Sequence, residues 1–151
     1  MRMDKGFSLV ETITVIALVL ALAGTGYVAT ISLLRWQSLL NNTNLITSQI
    51  ALAQVESYTQ VDDASHGVYI ADQIVTRFTG DSYLLRDTQK DVTFSLPSTI
   101  IVSGDTEIVF ENGGLIPTQS ILLILRIDDR SYDITLSSYG MLQVTAGSSE
   151  S

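Results

Sequence analysis

The chain has 151 residues, about one domain's worth of polypeptide, so two full domains are disfavoured. Eight Lys+Arg against sixteen Asp+Glu give a net charge of −8. Nucleic-acid affinity rests on neutralising phosphates with Lys and Arg, so that class of partner is disfavoured. Without cysteine there is no disulfide framework, no thiolate metal site and no cysteine nucleophile.

The first element is an apolar run. Between Lys5 and Arg35 the only charged residue is Glu11, and Thr12–Leu34 is 23 residues without a charge. As a helix rising ~1.5 Å per residue, that run extends about 34 Å, enough for a hydrocarbon core of roughly 30 Å. Val15, Ile16, Leu18, Val19, Leu20 and Leu22 form no single stripe, as a lipid-surrounded helix requires. Three readings compete. A cleaved secretory signal fits Arg2 and Lys5 as its basic region and Ala21-Leu22-Ala23 as its small-residue site. The apolar run nevertheless continues past that site to Leu34, and Glu11 lies inside it, where a carboxylate costs roughly 3 kcal/mol unless paired or near the interface. A plain single-pass anchor explains the length and leaves Glu11 unexplained. The third reading is a specially processed N-terminus.

That reading starts from Arg2-Met3-Asp4-Lys5-Gly6 followed by Phe7-Ser8-Leu9-Val10-Glu11. Here the sequence resembles the type IV pilin family, including the pseudopilins of type II secretion. Precursors of that family carry a short basic leader ending in Gly, then Phe, then a Glu at the fifth mature position before an apolar helix. Gly6, Phe7 and Glu11 fall at those positions. Small-residue cleavage would then precede the hydrophobic segment, the reverse of an ordinary signal peptide. The resemblance implies cleavage between Gly6 and Phe7 by a prepilin peptidase and N-methylation of Phe7. It also implies pairing of Glu11 with the N-terminal amine of a neighbouring subunit during assembly. An amine drawn into an apolar bundle needs such a partner. The alternative for Glu11 is a carboxylate that snorkels to the headgroups and pairs with nothing. The implied partners are the peptidase, other pilin or pseudopilin subunits through the N-terminal helix, an inner-membrane assembly platform and membrane lipid. Ala21, Ala23, Gly24, Gly26 and Ala29 offer small residues for close helix contact.

Arg35 and Trp36 close the run with a cation and an interface-seeking ring. From Gln37 the pattern turns amphipathic, with Leu39, Ile46, Ile50 and Ala53 at helical spacing, so the helix continues with a stripe that covers a sheet. Asn41-Asn42-Thr43-Asn44 either caps a new helix or loosens a continuous one. Gln60–Gly67 reads as a polar loop. Strand-like runs follow at Val68–Phe78, Tyr83–Arg86, Val92–Leu96, Thr99–Val102, Glu107–Phe110, Ile121–Ile127, Tyr132–Leu136 and Met141–Val144. Ile121–Ile127, nearly all apolar, is expected to be a central strand, buried on both faces or lying under the helix. Asp128-Asp129-Arg130 is expected to turn it into Tyr132–Leu136.

The expected fold is therefore α+β: a long N-terminal helix, hydrophobic then amphipathic, packed on a mostly antiparallel β-sheet head. The expected organisation is a leader at 1–6, a membrane or filament-core helix at 7–35, its amphipathic continuation at 36–60, a head at 61–146 and a frayed tail at 147–151. Ile108–Gly113 and Ile134–Met141 are similar to pieces of the GspH/FimT minor-pseudopilin group, where a strand ending in Phe meets a Gly-containing turn, followed by a long hairpin and a last strand after a Gly.

No catalytic constellation is visible. His66, the lone histidine, lies in Asp62-Asp63-Ala64-Ser65-His66-Gly67, residue types that favour turns. Asp62/Asp63 and Asp128/Asp129 lack the spaced acidic pattern of a calcium loop and read as solvated turns. Asn112-Gly113-Gly114 lies between strands and makes no phosphate cradle. The expectation is a structural subunit with no catalytic residues, no metal and no cofactor, held in the inner membrane by a single pass with an extracytoplasmic head and then assembled into a pilus or pseudopilus. The rival is a membrane-tethered or exported binding protein with an ordinary anchor or signal.

Overall fold

The computed structural model describes residues 8–71 and 73–148 and, within them, all side chains but those of 25–29 and 148. The expected leader, with Gly6 and Phe7, lies outside the described residues. Contacts divide the chain into two compact units, Met1–Arg35 and Trp36–Ser151.

One α-helix, α1, runs Leu9–Tyr58. The Asn-rich stretch does not interrupt it. Asn42 Nδ2 donates to the Ser38 carbonyl (2.7 Å), Thr43 Oγ1 to that of Leu39 (2.9 Å) and Thr47 Oγ1 to that of Thr43 (2.5 Å). Polar groups that bond one turn back within the helix no longer compete with its backbone. In the second unit the buried stripe of α1 is Leu39, Thr43, Ile46, Ile50, Ala53 and Ser57, none more than 1% exposed. Their spacing of three and four residues holds them on one side of the helix.

Among the described residues eight strands follow: β1 (His66–Ala71), β2 (Ile74–Thr79), β3 (Val92–Ser95), β4 (Ile101–Gly104), β5 (Glu107–Phe110), β6 (Ile121–Ile127), β7 (Arg130–Leu136) and β8 (Leu142–Ser148). They form two four-stranded sheets, ordered β3-β2-β1-β5 and β4-β6-β7-β8, with every pairing antiparallel. The α+β expectation holds, with two sheets in place of one. The short β4–β5 link touches both: Ile70 N–H donates to the Thr106 carbonyl (2.8 Å) and Asp105 N–H to that of Leu122 (3.0 Å). The helix stripe and the inner sides of both sheets share one core of Leu39, Ile46, Ile50, Val68, Ile70, Phe110, Leu123, Leu125, Ile134 and their neighbours.

Several local expectations need correction. Val68–Phe78 is a hairpin, β1–β2, reversing between paired Ala71 and Ile74 with Gln73 at φ 66. Neither Gly nor Pro marks that turn. Tyr83–Leu85 is a 3₁₀ turn, with the Ser82 side chain accepting from Leu85 N–H. The Tyr83 ring stacks on Tyr69 with centroids 3.8 Å apart, and the Arg86 guanidinium lies 3.6 Å from the Tyr83 centroid. Aromatic content there reflects stacking, not a strand. The hydrogen bond from Arg86 Nε to Asp91 (2.8 Å), reinforced by that carboxylate's charge, holds the guanidinium's pKa above its ordinary value. Gln60–Gly67 is no simple loop: Val61–Asp63 is a 3₁₀ turn, and His66 and Gly67 already belong to β1. β6 is central in its sheet but one-sided, with Leu123 and Leu125 at 0% exposure against 48% for Leu122. Of the two alternatives expected for it, burial on both faces is therefore excluded, and its buried side joins the core that the helix stripe lines. Gly147 and Ser148, expected in a frayed tail, instead complete β8, which pairs with β7 through Ser131↔Gly147 and Arg130↔Ser148.

Ser57 ties the helix end to one sheet. Its buried hydroxyl donates to the Phe110 carbonyl (2.9 Å) and accepts from His66 N–H (2.9 Å), and its carbonyl accepts from Gly113 N–H (2.7 Å). Ser57→Ala removes both of these buried side-chain bonds between the helix end and the sheet, so the head is expected to lose about 1–3 kcal/mol in urea unfolding. A loss below about 0.5 kcal/mol would show that the Ser57 linkage is not holding the helix end.

Candidate assembly site

From Leu9 to Gly24, α1 is apolar all round apart from Glu11 and its threonines, and exposed. Leu9 is 77% exposed, Leu18 61% and Leu22 65%, and Val10, Ile13, Val15, Ile16, Val19 and Leu20 are exposed as well. Contiguous apolar surface of this kind marks contact with lipid or protein. Its threonines fit such surroundings, because Thr14 Oγ1 donates to the Val10 carbonyl (2.7 Å) and Thr12 Oγ1 to that of Ser8 (3.3 Å). Each hydroxyl is satisfied within the helix and demands no outside partner. Among the described residues, nothing lies within 4 Å of where a Cβ on Gly24 would stand.

Among the described residues no helix is long and apolar enough to cross a membrane. Leu9–Gly24, at ~1.5 Å per residue, reaches about 24 Å before the side chains at 25–29, which lie outside the described residues.

Glu11 is exposed in the first turn of α1, and no ion pair to it is present among the described residues. Its position has a local meaning that the charge argument passes over. Ser8 directly precedes the helix, and Ser8-Leu9-Val10-Glu11 has the Ser-x-x-Glu spacing of a capping box. A carboxylate in the first turn also gains about 0.3–1 kcal/mol from the helix dipole. Among the described residues no side-chain bond of that box is formed, so what Glu11 offers the helix start is its charge.

Trp36 belongs to the second unit, 36% exposed, with the Arg130 guanidinium 5.7 Å from its ring centroid. That contact joins the ring to the start of β7. Arg77 on β2 reaches α1, donating from Nε to Gln49 Oε1 (3.1 Å) and from Nη1 to Glu56 Oε1. Gln54 Nε2 donates to the carbonyls of Leu115 (2.6 Å) and Gly140 (3.0 Å), drawing two loops to the helix. Gly140 holds φ 78, a conformation suited to glycine.

The polar candidates of the head are engaged in structure. His66, whose N–H is held by Ser57, is 2% exposed, and its Nδ1 has no hydrogen-bond partner among the described residues. Asp62 pairs with Lys90 (3.0 Å), and Asp63 accepts from Asn112 Nδ2 (2.8 Å). Asp128, at φ 51, lies in the β6–β7 turn between paired Ile127 and Arg130. An open cleft of about 460 Å³ is lined by Ser65, Asp81, Val109, Glu111, Asn112 and Thr118, with Ser65 Oγ donating to Asp81 (2.7 Å). Among the described residues no group of three or more His, Asp or Glu gathers as a metal site.

No protein-family model matches the sequence, and no curated protein matches it. In three dimensions the chain is similar to the minor pseudopilin EpsH from the Type 2 Secretion System of Vibrio cholerae. The TM-score is 0.58 at 12% sequence identity, over 72% of this chain and 97% of that one. A likeness at that identity speaks for architecture: the fold is pseudopilin-like, an N-terminal helix packed on antiparallel sheets.

Proposed function

We propose that the protein is a structural subunit of the pilin or pseudopilin type, processed after Gly6 and assembled through its N-terminal helix into a filament. The observation that carries this reading is the joining of two features in one chain. An exposed, all-round apolar helix segment with one carboxylate in its first turn leads into a head with the fold of a minor pseudopilin. Neither feature alone suffices, since anchors and β-rich heads are common separately.

On this reading a prepilin peptidase cuts between Gly6 and Phe7, and Phe7 becomes the N-methylated terminus. The apolar segment holds the subunit in the inner membrane as a single pass, head outward, until an assembly platform extracts it. In the filament the helices pack together, with Gly24 and the neighbouring alanines permitting close approach. Glu11 there neutralises the terminal amine of an adjacent subunit. The subunit turns over no substrate.

Intact-mass measurement of the protein from its own cell envelope tests the processing step. The expected chain begins at Phe7 and carries one methyl group. A chain that retains Met1, or one that begins near Gly24, overturns the reading in favour of an ordinary anchor or signal.

A further inference from the structure

The outer face of the sheet β3-β2-β1-β5 is framed from two sides. Val109 points to that face, because its strand neighbours Ile108 and Phe110 belong to the core. After β5 the chain folds back along the strand, with Phe110 bridging to Pro117 and Thr118 N–H donating to the Val109 carbonyl (3.0 Å). After β2 the chain is held to the residue before β1: Gly80 N–H donates to the Ser65 carbonyl (2.8 Å), and Ser65 Oγ donates to Asp81 (2.7 Å). These two returns supply the walls of the open cleft of about 460 Å³, whose lining joins Val109 to Ser65, Asp81, Glu111, Asn112 and Thr118. That volume lies in the range of sites that hold a ligand.

The hydrogen-bonding groups left over in the lining point to what it would hold. The Ser65 hydroxyl proton goes to Asp81, and an Asn112 amide proton goes to Asp63. The carboxylates of Asp81 and Glu111 can only accept when ionised, and neither forms an ion pair among the described residues. No base stands in the lining, and the nearby cations are engaged, Lys90 with Asp62 (3.0 Å) and Arg86 with Asp91 (2.8 Å). The end of α1 adds to the same sign. It has no base in its last turn, and Gly113 N–H donates to the Ser57 carbonyl (2.7 Å), so the negative end of the helix dipole meets the segment that forms one wall. The cleft is therefore negative and rich in acceptors through its own residues. A calcium ion takes roughly six to eight oxygen ligands, and among the described residues no group of three or more His, Asp or Glu gathers to supply them. A guanidinium is better served, because its planar fork of N–H donors bonds carboxylates in pairs.

We propose that this cleft receives an arginine side chain of a partner protein, with the guanidinium on Asp81 and Glu111 and the aliphatic stem against Val109. An open cleft suits a side chain reaching in from another surface, whereas small-molecule sites enclose most of their ligand. The proposal stands on the head alone and does not depend on how the N-terminus is processed.

The test uses the full chain in detergent micelles and two capped five-residue peptides, one with arginine at its centre and one with citrulline, its neutral isostere. Binding is followed by the amide resonances of Ser65, Asn112 and Thr118. The arginine peptide is expected to bind at least tenfold more tightly than the citrulline peptide. Asp81→Asn and Glu111→Gln are each expected to weaken it at least fivefold. Asp129→Asn removes the same charge from the β6–β7 turn of the other sheet and is expected to change binding less than twofold. Equal binding of the two peptides, or resonance shifts confined to residues outside the cleft, would overturn the proposal. Equal losses in all three variants would also overturn it, since the head's overall charge would then be the cause. Displacement of the arginine peptide by calcium chloride at concentrations where sodium chloride of equal ionic strength has no effect would make the cleft a metal site instead.

Discussion

Phe110→Ala is expected to destabilise the head by about 3–5 kcal/mol, the range for deleting a fully buried aromatic side chain. Phe110 is 0% exposed and lies in the shared core. It is also where three connections meet: its strand pairs it with His66, its carbonyl accepts from Ser57, and it bridges to Pro117 on the outer side. The cavity left by truncation therefore opens beneath the point where the helix end, β1 and the 111–118 segment are joined. Trp36, the single tryptophan, lies in the same unit and reports on it. Urea unfolding followed by its fluorescence should show a midpoint shift at nearly constant slope, the mark of lost stability without a change in the unfolded surface. A shift corresponding to less than about 1 kcal/mol would mean that the core closes around the gap and that Phe110 does not organise it.

Strands were readable where period and punctuation agree. β5 and β6 have the bounds that their apolar residues suggest, and β7 alternates Tyr132, Ile134 and Leu136 against polar neighbours after an Asp-Asp turn. The amphipathic stripe was also plain in Leu39, Ile46, Ile50 and Ala53. Thr43 and Ser57 complete it, but a count of apolar residues passes over them: the Thr43 hydroxyl is satisfied one turn back within the helix, and that of Ser57 by partners that only the fold supplies. The β1–β2 turn escaped for a related reason. Its left-handed residue is Gln73, which carries no turn signature, so two short strands looked like one long one. Tyr83 and Leu84 misled in the opposite direction: β-favouring residue types sit in a 3₁₀ turn because the Tyr83 ring finds Tyr69 and Arg86.

The head's surface was less accessible to sequence reasoning than its core. The cleft draws its lining from residues as far apart as Ser65 and Thr118, and what gathers them is the pairing of β1 with β5 and the return of the chain along β5. Asp81 and Glu111 acquire a common meaning only once those pairings are known. The same holds for Arg77, whose sequence neighbours give no hint that it spans to Gln49 and Glu56 on the helix. The N-terminal features, by contrast, were entirely local: a basic pentapeptide, Gly6, Phe7 and one carboxylate at a fixed distance.

Glu11 is where the proposed assembly chemistry and the local helix chemistry make different demands, and two substitutions separate them. Glutamine has nearly the shape and the helix propensity of glutamate, so Glu11→Gln should leave the start of α1 intact. It cannot neutralise an amine. If Glu11 pairs with the terminal charge of a neighbouring subunit, Glu11→Gln leaves that charge buried without a partner. Breaking a buried pair in this way costs about 3–5 kcal/mol, and about 1.4 kcal/mol corresponds to tenfold. Incorporation into filaments should then fall by roughly a hundredfold or more, while the amount of processed subunit in the membrane stays unchanged. Glu11→Lys should be at least as severe, since it places two cations together. Both variants would be expressed beside the native assembly machinery, with subunit in sheared filaments and in membranes measured from the same cells. Normal incorporation of Glu11→Gln would refute the pairing, and loss of the protein from the membrane would place its role before assembly.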